Sequence, residues 1–166
     1  MAQKSRLRGL QHTLFSALAG ILLTQSAWAA GPGSRDQVPL AQMPANYRNE
    51  CSACHMAYPP GFLPAASWKH VMGTLNTHYG SDASLDSATV ESIGQWLQSQ
   101  GGTYKRVGQI TADHRITTSA WFEREHREVP AATWKRASIR SKSNCVACHT
   151  QAEQGNFNEH AVRIPK

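Results

Sequence analysis

The sequence predicts an all-α fold in two small helical parts, and three observations carry that expectation. Apolar residues recur at helical spacing in three stretches: Trp68, Val71, Met72, Leu75 and Tyr79; Val90, Ile93 and Leu97; Trp121, Phe122 and Val129. One short motif, Cys-x-x-Cys-His, occurs twice, as Cys51-Ser52-Ala53-Cys54-His55 and as Cys145-Val146-Ala147-Cys148-His149. Between the copies, residues 101–117 hold Gly, Thr and scattered charge without periodicity, which marks a boundary between two halves near residue 102.

Each motif has the spacing of a c-type haem attachment site. Two thiols add to the two vinyl groups of one porphyrin, so both must reach the same ring. Two intervening residues in a helical turn give that reach, and the His that follows faces the iron. The expected cofactors are two covalent haems (heme c), one on Cys51 and Cys54 and one on Cys145 and Cys148, with His55 and His149 as proximal ligands. Four thiolates can also hold one zinc ion. Here 90 residues lie between Cys54 and Cys145, far beyond zinc-ribbon spacing. A disulfide framework or a thioredoxin-like pair would not need the His. These four are all the Cys in the chain, so none is left for another role.

Residues 1–29 read as a secretory signal peptide. Lys4, Arg6 and Arg8 are its positive start, Thr13 to Leu23 its uncharged apolar run, and Ala27-Trp28-Ala29 its cleavage signal. The apolar run is short for an uncleaved membrane anchor, and no later stretch is long and apolar enough to span. Covalent haem is attached outside the cytoplasm, so export, cleavage near Ala29 and a bacterial periplasmic location fit the motifs. The expected mature chain divides into an N-terminal haem part, residues 30–102, and a C-terminal haem part, residues 103–166.

The formal charge of +6 and pI of 9.4 overstate the basicity of that chain. Without Lys4, Arg6 and Arg8 it has 14 basic against 11 acidic residues, a net +3. Four ionised haem propionates bring this to about −1. No basic cluster with interleaved aromatics is present, so nucleic-acid binding is not supported. About 137 residues suffice for one modest domain or two small ones, and two haems would enlarge a thin apolar core.

Residues 31–48 hold Gly31, Pro32, Gly33, Pro39 and Pro44 and read as an extended lead, with the first haem helix starting at Asn49-Glu50. Met56 to Gly61 includes Pro59-Pro60 and cannot continue it. A loop there suits either packing against the proximal haem face or an ordinary turn. Pro64 opens a helix that Gly80 ends. On its wheel, measured from Trp68, His78 lies at about 280°, on the shoulder of the apolar face, and His70 at about 200°, toward water. Asp86 caps a second helix that Gly101 and Gly102 stop. Thr117 or Thr118 caps a third, on which Phe122 and His126 share a face, and Pro130 ends it. A short fourth helix carries Trp134. The basic stretch Lys135-Arg136 to Arg140 and Lys142, read as a solvated face, leads to a second haem helix at Asn144. The tail from Gln151 is partly irregular. Leu63 to Lys69 echoes Val129 to Lys135, once after a haem motif and once before it, which a tandem duplication would not produce.

Each iron needs a sixth ligand or stays open. The candidates are His70, His78, His114, His126 and His160, with Met43, Met56 and Met72 as possible thioethers. His78 follows His55 by 23 residues on a helix returning toward the first haem, and it is preferred there over His70. Met72 sits in an apolar stripe, where Met is more often core. His126 lies 19 residues before Cys145 on an aromatic-bearing helix, and is preferred for the second haem over His114 and His160. Crossed ligation, with His126 on the first haem, stays open at this stage.

The chain resembles the diheme cytochrome c family of small periplasmic electron carriers. The residues that carry the likeness are Glu50 through His55, Ala57-Tyr58-Pro59-Pro60, Leu63-Pro64, Ser67-Trp68, Leu75, and His78-Tyr79-Gly80. In the second half they are Arg115-Ile116-Thr117, Trp121-Phe122, His126, Trp134, and Ser143 through His149. The resemblance spans roughly residues 47 to 157. It implies a mainly helical body whose N-terminal part is like a small cytochrome c domain, and two bis-His haems with distal ligands at His78 and His126. It also implies electron transfer, often to a small oxygen-binding cytochrome or with a membrane cytochrome b.

The expected function is therefore single-electron transfer between redox protein partners, with no enzyme activity, no nucleic acid and no membrane insertion after signal removal. Bis-His iron changes oxidation state with little ligand rearrangement, and should sit at lower potential than Met–His iron. A diheme peroxidase or ligand-binding haem protein would need an open iron, and the chain shows no obvious acid–base set for it. An electron-entry subunit of a larger reductase is hardly separable from a free carrier by sequence.

Overall fold

The computed structural model describes residues 38–104 and 107–166; the expected signal peptide lies outside the described residues. Among them the chain forms five α-helices joined by 3₁₀ turns: α1 Ala45–Cys51, α2 Ala65–Gly73, α3 Ser87–Gln100, α4 Ala120–Glu125 and α5 Ala131–Trp134. No strand forms among the described residues, and the one β-type pairing there is an isolated bridge between His78 and Ser81. The all-α expectation holds. No helix of the described residues is long and apolar enough to cross a membrane.

Sequence explains where most helices start. Pro44, Pro64 and Pro130 stand immediately before α1, α2 and α5, each with φ between −53° and −71°. The pyrrolidine ring fixes that angle and costs no intrahelical bond at a helix start. Asp86 caps α3 as expected, accepting from Thr89 N–H at 3.0 Å. That leaves one fewer orphan donor in the first turn.

α2 and α3 make the most extensive helix pair. Trp68, Val71 and Met72 from α2 meet Ile93 and Leu97 from α3, all at most 7 % exposed. Burying an aliphatic side chain of this size stabilises by about 1.5–3 kcal/mol. Tyr47 of α1 adds to this core against Trp96, with ring centroids 5.0 Å apart. The core crosses residue 102: Ile116 and Phe122 belong to the same cluster. Gly101 and Gly102 do more than stop α3. A β-carbon on Gly101 would lie 2.7 Å from the Ala65 nitrogen, and one on Gly102 2.3 Å from the Gly61 carbonyl oxygen. Two backbone segments touch here, and Gly102 N–H donates to the Leu63 carbonyl at 2.8 Å.

Five boundaries differ from the expectation; one is the end of α4, which stops at Glu125 with His126 as its C-cap and does not run to Pro130. The first haem helix starts at Ala45, because Pro44 initiates it, and Cys51 falls in its last turn. α2 stops at Gly73 rather than Gly80. Thr74 turns back, its hydroxyl donating to the His70 carbonyl at 2.9 Å, and Leu75–Thr77 form a separate 3₁₀ turn. α4 is capped by Ser119, whose hydroxyl oxygen accepts from Phe122 N–H at 3.3 Å. Thr118 donates to Asp113 instead, at 2.7 Å. The second motif makes only a 3₁₀ turn, Cys145–Ala147, because the preceding chain is committed to turns, with Arg140 left-handed at φ 68°.

Candidate functional site

The fold brings four of the eight His together as two pairs. His55 and His78 have ring centroids 6.2 Å apart with planes at 25°. His126 and His149 have centroids 6.1 Å apart with planes at 77°. Two imidazoles on opposite sides of one metal, each bonded at about 2.0–2.1 Å, have centroids roughly 6–6.5 Å apart. Both pairs fit that spacing, and each stands beside one Cys-x-x-Cys. Crossed pairing, with His126 toward the first motif, is not what the fold brings together.

Ring orientation has a local cause at His55 and His126. The Nδ1 atom of His55 lies 2.7 Å from the Met56 carbonyl oxygen, and Nδ1 of His126 lies 2.9 Å from that of Phe122. A carbonyl accepts only, so Nδ1 carries the proton in both and Nε2 keeps its lone pair for a metal. Tyr58 stacks on His55 at 4.8 Å, and Phe122 on His126 at 4.0 Å. His126 is the C-cap of α4, so the shared face of Phe122 and His126 survives the helix end.

Burial favours the neutral form of the other two pair members. Desolvation first, then His55 and Arg115, hold the pKa of His78 below the ordinary 6.5. Desolvation, then His126, does the same at His149. A neutral imidazole is the form that binds metal. His78 reaches its position from the turn after the 3₁₀ segment, not from the shoulder of a longer helix, so the wheel angle does not describe it.

All four Cys are free thiols. Burial, aided by Glu50, pushes the Cys51 thiol up to about 12, and burial pushes Cys145 up to about 11. Protonated thiols resist adventitious oxidation and do not act as thiolate ligands. Among the described residues no group of three or more His, Cys, Asp and Glu converges to hold a bare ion. A cavity of about 270 Å³ opens beside His126, lined also by Phe122, Val129, Trp134, Arg127 and Lys142. Two buried donors, Arg48 Nε one turn before Cys51 and Trp121 Nε1 beside Phe122, have no acceptor in the protein. Buried donors of this kind ordinarily have a partner, and a haem propionate would supply one.

The remaining candidates lie elsewhere. Met43 and Met72 are buried in the core, and His160 is exposed beside Glu159. His70 is exposed, as the wheel indicated, but its ring stacks on His114 at 3.9 Å. Sequence reasoning missed the link between the motifs. The Tyr58 hydroxyl donates to the Ser143 carbonyl at 2.8 Å, two residues before Cys145, while its ring covers His55. Phe62, Trp121 and Phe157 form a second link, and Phe157 lies 5.4 Å from His149. Only the run Ala57-Tyr58-Pro59-Pro60 hinted at a packed loop.

Two haem attachment motifs, each with a second imidazole facing its His, define a dihaem c-type cytochrome. The family model described as dihaem cytochrome c matches residues 47–157, and the chain belongs to that family. It carries two c-type haems and is an electron-transfer haem protein. Among solved structures, the chain is similar to a diheme cytochrome c from Rhodobacter sphaeroides, at 42% identity and a TM-score of 0.63, covering 70% of this chain and 98% of that one. It is also similar to a diheme cytochrome type c from Shewanella baltica OS155, at 35% identity and a TM-score of 0.65, covering 77% of this chain and 95% of that one. No curated protein matches it.

Proposed function

We propose that the chain is a periplasmic electron carrier with two six-coordinate haems, ligated by His55 with His78 and by His149 with His126. The two imidazole pairs at 6.2 and 6.1 Å carry this reading. Each haem, when bound, supplies an iron that gains or loses one electron. The protein's part is to hold both axial positions. His55 and His126 are fixed through Nδ1 by carbonyls, and burial favours the neutral form of His78 and His149. With no open iron, no substrate binds the metal, and the chain acts as a relay and not as an enzyme. Cys51, Cys54, Cys145 and Cys148 tether the porphyrins, and Arg48 and Trp121 offer donors to the propionates.

Its partners in this reading are redox proteins, such as another cytochrome or a membrane cytochrome b. Export with cleavage near Ala29 supports the periplasmic location. The test is the spin state of the purified protein and two variants. Wild type should be fully low-spin and slow to take up CO when reduced. His78→Ala and His126→Ala should each convert one haem to high-spin and bind one CO per chain. A wild-type protein that binds CO at once, or a variant that stays fully low-spin, contradicts the assignment.

A further inference from the structure

Among the described residues three non-glycine residues have left-handed backbone: Tyr79 at φ 49°, His114 at 53° and Arg140 at 68°. A β-carbon disfavours that conformation, so such residues persist only where surrounding contacts hold them. Two of the three are joined to each other. The Tyr79 hydroxyl donates to the His114 carbonyl at 2.9 Å, and Tyr79 directly follows His78.

Neighbouring groups extend this contact. The Arg115 guanidinium lies 3.9 Å from the centre of the Tyr79 ring, a cation–π geometry. Asp113 sits 3.7 Å from Arg115 Nε, and accepts from Arg115 N–H at 3.2 Å and from the Thr118 hydroxyl at 2.7 Å. On its other side the His114 ring stacks on His70 of α2, with its Nδ1 3.2 Å from the hydroxyl of fully buried Ser67. His114 is thus tied to α2 through its ring and to Tyr79 through its carbonyl, with Arg115 adding to the second tie.

His78 depends on its turn more than His55 and His126 do. His55 and His126 have rings fixed by carbonyls, whereas no hydrogen bond is made to the His78 ring among the described residues. Its backbone is held by its own N–H on the Leu75 carbonyl at 3.2 Å and by Ser81 N–H on its carbonyl at 3.0 Å. A ring with no hydrogen bond of its own, packed against the neighbouring Tyr79 ring at 4.9 Å, stays where the turn stays.

We propose that Tyr79, His114 and Arg115 form a clamp that holds His78 toward His55, so that loosening the clamp opens the first iron and leaves the second closed. Tyr79 and Arg115 are then positioning residues, and the opened position would take a small neutral diatomic. The inference rests on His78 being an axial ligand.

Four variants of the full-length dihaem protein test it: Tyr79→Phe, the double variant Tyr79→Phe with Arg115→Gln, His78→Ala, and His78→Ala with Tyr79→Phe. The readout is CO uptake by the reduced protein, with stoichiometry. Tyr79→Phe keeps the ring and loses one hydrogen bond, and should bind CO about fivefold faster than wild type. The double variant should bind it roughly tenfold faster or more. Uptake should stop at one CO per chain, and Tyr79→Phe should add nothing to His78→Ala. Wild-type rates in both clamp variants, with fast uptake in His78→Ala, would overturn the clamp and leave the ligand assignment standing. Uptake at both haems would show general loosening and overturn it too. If His78→Ala itself stays low-spin and refuses CO, the assignment of His78 falls and the clamp falls with it.

Discussion

An axial imidazole must be neutral and must aim one nitrogen at the iron. Nδ1 of His55 and of His126 points at a carbonyl one and four residues away in sequence, which would leave Nε2 for the iron. Burial lowers the pKa of His78 and His149, which favours the neutral form. The attachment residues were legible because covalent chemistry fixes their spacing. The fold pairs His78 and His126 with the two motif His for different reasons: His126 stands one helical turn after Phe122, whereas His78 is set by the turn after a 3₁₀ segment, which its helical phase does not describe. Tyr58 and Ser119 were not legible: one acts through a carbonyl 85 positions away, and the other outcompetes a neighbouring Thr for a cap. At this scale Cys54→Ala should leave one vinyl group unreacted on one haem only. A pyridine haemochrome spectrum should then show one altered and one ordinary c-type component, and equal change at both haems would contradict separate attachment.

Helices here are short, and their ends are set by proline, by hydroxyl caps and by close backbone contact. The starts at Pro64, Asp86 and Pro130 could be read from sequence because each residue acts on its own next turn. The end of α2 at Gly73 and the 3₁₀ turn that follows Asn144 could not, because tertiary turns decide them. The repeated start at Leu63 and Val129 has one local consequence in both copies: a proline that opens a helix carrying a tryptophan. Trp68 donates to the Pro60 carbonyl at 2.6 Å, while Trp134 lies 5.8 Å from His126. Gly102 is the most exacting position between elements. Gly102→Ala drives a β-carbon onto the Gly61 carbonyl and the Val107 side chain. Overpacking of this kind costs about 1–3 kcal/mol. The thermal midpoint of the holoprotein should fall by several degrees, and an unchanged midpoint would mean these segments do not meet.

Taken whole, the chain is electrically lopsided. Residues 103–166 hold eleven Lys and Arg against six Asp and Glu, while residues 30–102 hold three against five. Around His126 the exposed Arg124 and Arg127 are offset by their neighbours Glu125 and Glu128, so the excess lies in the exposed Lys135, Arg136, Arg140 and Lys142, while Glu50, Asp82 and Glu91 are exposed in the other half. An acidic redox partner would approach the C-terminal half, and charges beyond about 10 Å are screened at 0.1 M salt. The rate of electron exchange with such a partner should therefore fall as salt rises, and a rate independent of salt would remove charge from the encounter. Sequence alone showed the helical class and the two haem motifs, but not that one core spans both halves, since Ile116 and Phe122 join it only through tertiary contact. The central claim is that both irons are held between two imidazoles, and it has a direct signature. Ring planes at 25° lift the degeneracy of the iron d orbitals that meet the imidazole π systems, whereas planes at 77° leave them nearly equal. The first measurement is therefore an EPR spectrum of the fully oxidised protein. Two low-spin signals of equal weight are expected, one rhombic and one strongly anisotropic. A high-spin signal amounting to one haem per chain would contradict the account.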